Sequence, residues 1–148
     1  MPSFAENTPF TFSESGPLPT GMKYSIKIEE IPYVKSLNAK PDDGSTWGID
    51  GGYPLHVIKT FFFSLNGKEI FIPRKLSSDI CDLQRASIQE INGQVILTIK
   101  GGDAAGSFNA EFKFKNGRLV ERLIRMGEFP EEVWEKIILH NELWNKEM

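Results

Sequence analysis

Residues 108–117 read FNAEFKFKNG, and this stretch is the clearest indication of the fold class. Its apolar residues, at positions 108, 110, 112 and 114, alternate with polar ones, which is the period of a strand with one buried face. The Asn116-Gly117 pair that follows suits a type I′ turn, because both central residues of that turn need a positive φ angle. The stretch therefore predicts one arm and the turn of an antiparallel hairpin.

The same dipeptide occurs twice more, as Asn66-Gly67 and Asn92-Gly93, each time between apolar runs. Joining these hairpins in chain order predicts an antiparallel meander of about seven strands, as a curled sheet or a partly open barrel. All three Asn-Gly turns would then lie at one end of the sheet, called the turn end. The connections 32–54, 74–85 and 101–106 and the junction 127–130 would lie at the opposite end, called the loop end.

Two segments flank this meander. Residues 1–22 hold four of the nine prolines, so we predict an extended N-terminal arm followed by a single β-rich domain over 23–148. After Gly127, early acids and apolar residues at helical spacing, such as Trp134 and Ile137, predict a C-terminal helix over 131–146. A strand over 133–139 is the alternative. The predicted class is α+β, predominantly antiparallel β.

Composition excludes several function classes. The 148 residues carry 17 basic and 20 acidic side chains, a net charge of −3, so no nucleic-acid partner is expected. One cysteine, Cys81, excludes an internal disulfide or a multi-cysteine zinc site. The longest purely apolar runs have three residues, and no basic residue precedes Lys23. We therefore expect no membrane association, no secretory signal and a cytoplasmic location.

The loop end is where a binding site is predicted. The 32–54 connection has 23 residues, three prolines and four glycines, and connections this long are usually functional or disordered. Trp47 could contact a partner there or could fold back to close the end of the sheet. The predicted binding residues are Asp42, Asp43, Trp47, Asp50, Tyr53, His56 and Asp103.

No catalytic motif accompanies these residues. The sequence has neither a Gly-x-Ser-x-Gly elbow nor a His-Glu-x-x-His pair, and a strand rather than a helix follows the glycine-rich stretch 101–106. We therefore predict no catalytic residues, no metal ligands and no cofactor.

The predicted function is a non-enzymatic, protein-binding domain. Its general character, small and acidic without catalytic motifs, is similar to that of accessory proteins and of immunity or inhibitor proteins, which engage a partner through an acidic surface. A basic partner would suit the acids of the loop end. Two alternatives remain: a hydrolase that uses His56 with Asp50 or Asp103, and a small-molecule-binding β-barrel or cup. The cup would be lined by Phe61, Phe63, Phe108 and Phe112.

Overall fold

A computed structural model describes residues 9–34, 46–48, 53–102 and 106–139. Within these residues the chain forms two antiparallel sheets, of four and five strands, and one short helix. The first sheet contains β1 (Thr11–Pro17), β2 (Lys23–Pro32), β3 (His56–Leu65) and β4 (Lys68–Glu69), in that order. The helix is α1 (Lys75–Ser78). The second sheet contains β5 (Leu83–Ile91), β6 (Gln94–Gly101), β7 (Phe108–Lys115), β8 (Arg118–Met126) and β9 (Val133–Ile138).

The two sheets face each other across an aromatic core. Phe61 of β3 contacts Phe112 of β7 with ring centroids 5.2 Å apart, and Phe63 contacts Phe114 at 4.4 Å. The alternating residues of β6 and β7 point into this core as predicted: Val95, Leu97, Ile99, Phe108, Ala110, Phe112 and Phe114 are all buried. Burial of these apolar side chains is the main force that holds the sheets together.

The three Asn-Gly turns have the predicted backbone. Asn66, Asn92 and Asn116 have φ angles of 51°, 51° and 53°, and the glycines that follow have 79°, 79° and 76°. These positive values at both positions match type I′ turns.

The three turns also lie at one end: Val95, just after Asn92-Gly93, lies opposite Phe114, just before Asn116-Gly117. Asn66 N–H donates to the carbonyl of Lys23, just after the turn that joins β1 to β2. In that turn Thr20 Oγ1 donates to the carboxylate of Glu90, close to Asn92, at 2.7 Å. The turn end is therefore one end of the molecule.

The single seven-stranded meander is wrong. The chain leaves the first sheet after β4, which has only two residues, and passes through α1 to the second sheet. In the described part of the chain neither sheet closes on itself, because β1, β4, β5 and β9 each pair with one neighbour only. The Asn-Gly signal reports hairpins and carries no information on where a sheet ends, so sequence could not reveal this break.

The predicted C-terminal helix is not found where the structure describes its residues. Val133–Ile138 forms β9, paired antiparallel with β8, for example Ile137 with Arg122. The alternative strand is therefore the correct reading of this segment, since pairing with an exposed sheet edge outweighs a helical spacing of apolar residues. Residues 140–148, the remainder of the predicted helix, lie outside the described ranges.

Part of the predicted N-terminal arm belongs to the first sheet. Thr11–Pro17 forms β1 and pairs with β2 from Thr11 opposite Glu29 to Pro17 opposite Lys23. Phe10 and Phe12 pack against the buried core at the edge of the first sheet that β1 forms. Residues 11–17 of the arm are thus extended and hydrogen-bonded to β2.

Candidate functional site

Residues 46–48 are one described part of the long connection between β2 and β3, and they lie against the segment that precedes β5. Trp47 N–H donates to the carbonyl of Asp79 at 2.6 Å, and Cys81 N–H donates to the carbonyl of Trp47 at 3.2 Å. Gly48 has a φ angle of 107°, and a Cβ at this position would lie 2.8 Å from the Cys81 carbonyl oxygen. Glycine is needed both for the backbone angle and for the close approach.

Trp47 stacks on Trp134 of β9, with ring centroids 5.5 Å apart and planes inclined by 14°. Both indoles are half-buried and contact the core. The stack joins the connection between β2 and β3 to β9, the edge strand of the second sheet. Because Trp134 covers one face of the Trp47 ring, the contact favours the role of closing the end of the sheets over that of stacking on a ligand.

Asp82 is a polar junction between three elements at the loop end. It has a φ angle of 54°, unusual for a residue other than glycine. Its carboxylate accepts the N–H groups of Leu55 at 3.0 Å and His56 at 2.8 Å, and its carbonyl accepts the N–H of Gly102 at 2.9 Å. Burial raises the pKa of Asp82, and the two N–H donors act in the opposite direction.

Glu30 is a second buried carboxyl group at this end, at 5% exposure. Its two oxygens accept the N–H groups of Phe10 at 3.3 Å and Leu83 at 3.1 Å, so it joins the start of β1 and the start of β5 to β2. Burial raises the pKa of Glu30 to about 7. The charge of Asp82 also raises this pKa, and the hydrogen bonds from Leu83 and Phe10 lower it.

Cys81 and His56 complete this cluster, whose composition invites comparison with nucleophilic catalysts. The Cys81 thiol is fully buried and lies 3.3 Å from the Trp47 carbonyl, to which it donates. Burial raises the pKa of this thiol, and the charges of Asp82 and Glu30 raise it further. A protonated, inaccessible sulfur is not a nucleophile.

His56 is buried as well, with Nδ1 4.0 Å from Asp82 Oδ1. The Asp82 carboxylate already accepts two backbone N–H groups. The cluster therefore holds strand ends in place, and its geometry does not support acid–base chemistry on a bound substrate.

An ion network around the buried Arg122 adjoins the Trp47–Trp134 stack, because Glu135 follows Trp134 in β9 and the Asp79 carbonyl accepts the Trp47 N–H. The guanidinium of Arg122 is fully buried on β8; it binds the Asp79 carboxylate, with Nη2 2.8 Å from Oδ2, and also the Glu135 carboxylate. Its Nη1 donates to the carbonyl of Leu76 at 3.0 Å. Burial alone would lower the pKa of Arg122. The hydrogen bonds to Asp79 and Glu135 and the charges of these two carboxylates outweigh burial and raise the pKa, so the guanidinium stays charged.

Sequence analysis did not identify this network. Arg122 lies opposite Phe112 in the β7–β8 pairing and so faces the core. An arginine at a core-facing position indicates such a network, but this position can be recognised as core-facing only once the β7–β8 register is known. The register shifts between Lys113 and Phe114, which hides the alternation of β8.

Exposed apolar side chains form a patch where β2 ends and β3 begins. The members of this loop-end patch are Ile31, Val34, Tyr53 and Leu55, all among the exposed large apolar residues. Leu55 has 53% of its surface exposed. Tyr33 N–H donates to the carbonyl of Leu55 at 2.9 Å, and the Tyr33 and Tyr53 rings stack at 5.7 Å. These contacts bring together the two chain segments that carry the four side chains.

Of the predicted binding residues, three lie in the described part of the chain. Tyr53 is in the loop-end patch, Trp47 is half-buried beside Trp134, and His56 is buried against Asp82. The other four, Asp42, Asp43, Asp50 and Asp103, lie outside the described residues. A buried His56 cannot contact a partner directly, and Ile31, Val34 and Leu55 were not predicted.

Among the described residues, no group of three or more His, Cys, Asp or Glu side chains is arranged to hold a metal ion. No helix in the described ranges is long and apolar enough to span a membrane. Comparisons with family models, with curated proteins and with solved structures found no match to this chain.

Proposed function

We propose that this protein is a non-enzymatic domain that binds a protein partner through the loop end. The observation that supports the proposal is the loop-end patch, because several exposed apolar side chains on adjoining segments of a folded domain are a feature of protein-binding surfaces. Of the nine exposed large apolar side chains in the described ranges, six belong to the segments at this end: Ile31, Val34, Tyr53, Leu55, Phe129 and Val133.

The backbone below this patch is fixed before any partner arrives. Ile31 lies opposite Val57 in the β2–β3 pairing, and the N–H of Leu55 is held by the Asp82 carboxylate. A surface that is already ordered loses less conformational entropy on binding than a flexible one. The buried cluster around Asp82 would thus serve the binding surface by holding it in shape.

The two alternatives have less support. The phenylalanines proposed to line a cup contact other rings, Phe61 with Phe112 and Phe63 with Phe114, so they fill the space between the sheets. The proposed hydrolase needs an accessible His56, whereas this side chain is buried and lies next to Asp82.

A basic partner is the expected kind. Asp42, Asp43 and Asp50 belong to the connection that adjoins the loop-end patch in sequence, and Asp103 belongs to the connection between β6 and β7; opposite charges accelerate association. We place this interaction in the cytoplasm, since the single buried thiol fits a reducing compartment. In character this is an accessory protein or an immunity- or inhibitor-like protein.

The proposal is tested by capture of partners from an extract of the source cells on immobilised protein. Leu55→Asp introduces a charge into the loop-end patch and leaves the backbone hydrogen bonds of Leu55 intact, so it should reduce capture about tenfold or more. Ile91→Asp is the matched control, because Ile91 is 44% exposed at the turn end. Equal capture by wild type, Leu55→Asp and Ile91→Asp would contradict the proposal.

A further inference from the structure

The loop between β8 and β9, residues 127–132, is held by hydrogen bonds on both sides and is called the Phe129 loop. Glu132 N–H donates to the carbonyl of Phe129 and closes the loop internally at 2.9 Å. The other bonds are Met126 N–H to the Glu132 carbonyl, Gly127 N–H to the Ser107 carbonyl and Arg125 Nη1 to the Pro130 carbonyl. The backbone is therefore ordered although the loop lies on the surface.

This ordered loop presents an aromatic side chain to solvent. Phe129 has 55% of its surface exposed, and Val133, at the start of β9, is exposed beside the same loop. Burying such side chains in a partner removes apolar surface from water and so favours association. A rigid, exposed aromatic ring is the kind of residue that anchors protein interfaces.

Three glutamates surround Phe129 in the chain. Glu128, Glu131 and Glu132 are all exposed, and none of them forms an ion pair with another residue that the structure describes. The nearest arginine in the sequence, Arg125, is bound to Glu111, with Nε 3.0 Å from Oε2. The loop therefore presents an apolar anchor within a negatively charged rim.

We infer that the Phe129 loop is a docking element for a protein whose surface offers an apolar pocket surrounded by lysine or arginine side chains. This inference deepens the proposed function and rests on it, since the loop belongs to the loop end. Two other occupants are disfavoured by charge. A second copy of this loop would bring like charges together, and an anionic lipid surface would repel the glutamates.

The test uses a library of random linear peptides displayed on phage, selected on the wild-type protein after depletion on Phe129→Ser. The enriched peptides should carry a net positive charge around an apolar residue. A synthetic peptide from the selection should bind Phe129→Ser about tenfold more weakly in fluorescence anisotropy. Replacing Glu128, Glu131 and Glu132 by glutamine should weaken binding and remove most of its salt dependence.

Ile91→Ser is the matched control, because it removes an exposed apolar side chain at the turn end and should leave peptide binding unchanged. All variants should retain the circular dichroism spectrum and unfolding temperature of the wild type, since the substituted side chains are exposed.

The inference would be overturned if no enriched peptide depended on Phe129, or if the enriched peptides were neutral or acidic. Phe129-dependent dimerisation in sedimentation, or Phe129-dependent binding to phosphatidylserine vesicles, would also overturn it in favour of another occupant. Failure here is distinguishable from failure of the proposed function, because capture through the loop-end patch is measured independently with Leu55→Asp.

Discussion

Gly48 and Gly102 lie directly against each other: a Cβ atom on Gly102 would lie 2.8 Å from the Cα atom of Gly48. The first glycine belongs to the connection between the two central strands of the first sheet, and the second begins the β6–β7 connection of the second sheet. Their contact brings Trp47 to the same end of the molecule as the β6–β7 connection. The loop end is therefore one continuous region formed by both sheets.

Gly102→Ala should destabilise the protein far more than Gly93→Ala. The two glycines have nearly equal φ angles, 77° and 79°, so both substitutions strain the backbone by roughly 1 kcal/mol. A Cβ at Gly93 meets nothing within 4 Å, whereas one at Gly102 would also lie 2.6 Å from the Gly106 carbonyl oxygen. Urea unfolding should show an additional loss of about 2 kcal/mol for Gly102→Ala. Equal losses would mean that the two connections do not meet.

The stability of the protein should fall as the pH rises through neutrality. Burial raises the pKa of Glu30 to about 7, from 4.5 in the unfolded chain. Protonation of Glu30 therefore favours the folded state: its contribution is complete below pH 4.5 and is lost as the pH rises through 7. The full contribution is on the order of 3 kcal/mol, measured as the free energy of unfolding in urea at a series of pH values.

Glu30→Gln is the control for this pH dependence. Glutamine has the same size and does not titrate, so the decline in stability between pH 5 and pH 8 should become shallower in this variant. Part of the decline should remain in this variant, because burial also raises the pKa of Asp82. The absolute stability should be lower, because the glutamine amide has one acceptor oxygen for the N–H groups of Phe10 and Leu83. An unchanged slope would show that Glu30 does not titrate in this range.

Removing the guanidinium of Arg122 should be costly, because Asp79 and Glu135 would be left as two neighbouring carboxylates without a cation. We expect Arg122→Met to lower the free energy of unfolding by about 3 kcal/mol at neutral pH. The loss should shrink at acidic pH, because burial raises the pKa of Asp79 and protonation removes its unpaired charge. Adding Asp79→Asn and Glu135→Gln should restore at least half of it. A neutral effect of Arg122→Met would show that the network does not hold β8 and β9 to the α1 segment.

The hairpins could be predicted from sequence because their signal is local. An Asn-Gly dipeptide between alternating apolar residues contains both the turn geometry and the adjacent strands, and the φ angles of Asn66, Asn92 and Asn116 confirm it. The alternation in residues 108–114 likewise identified the buried face of β7.

The features that sequence analysis missed depend on distant pairing. The helical spacing of Trp134 and Ile137 was outweighed by the pairing of this segment with β8. The division into two sheets after β4 leaves no local pattern in the sequence. The loop-end patch arises in the same way, since Tyr33 and Leu55 come together only when β2 and β3 pair. The patch and the Arg122 network therefore could not be read from the sequence.

The binding surface can be located by amide hydrogen exchange of the protein with and without its captured partner. The account predicts slower exchange in the complex for residues 31–34 and 53–56, and unchanged exchange at the turns 66–67, 92–93 and 116–117. Slower exchange confined to those turns, with residues 31–34 and 53–56 unaffected, would contradict it.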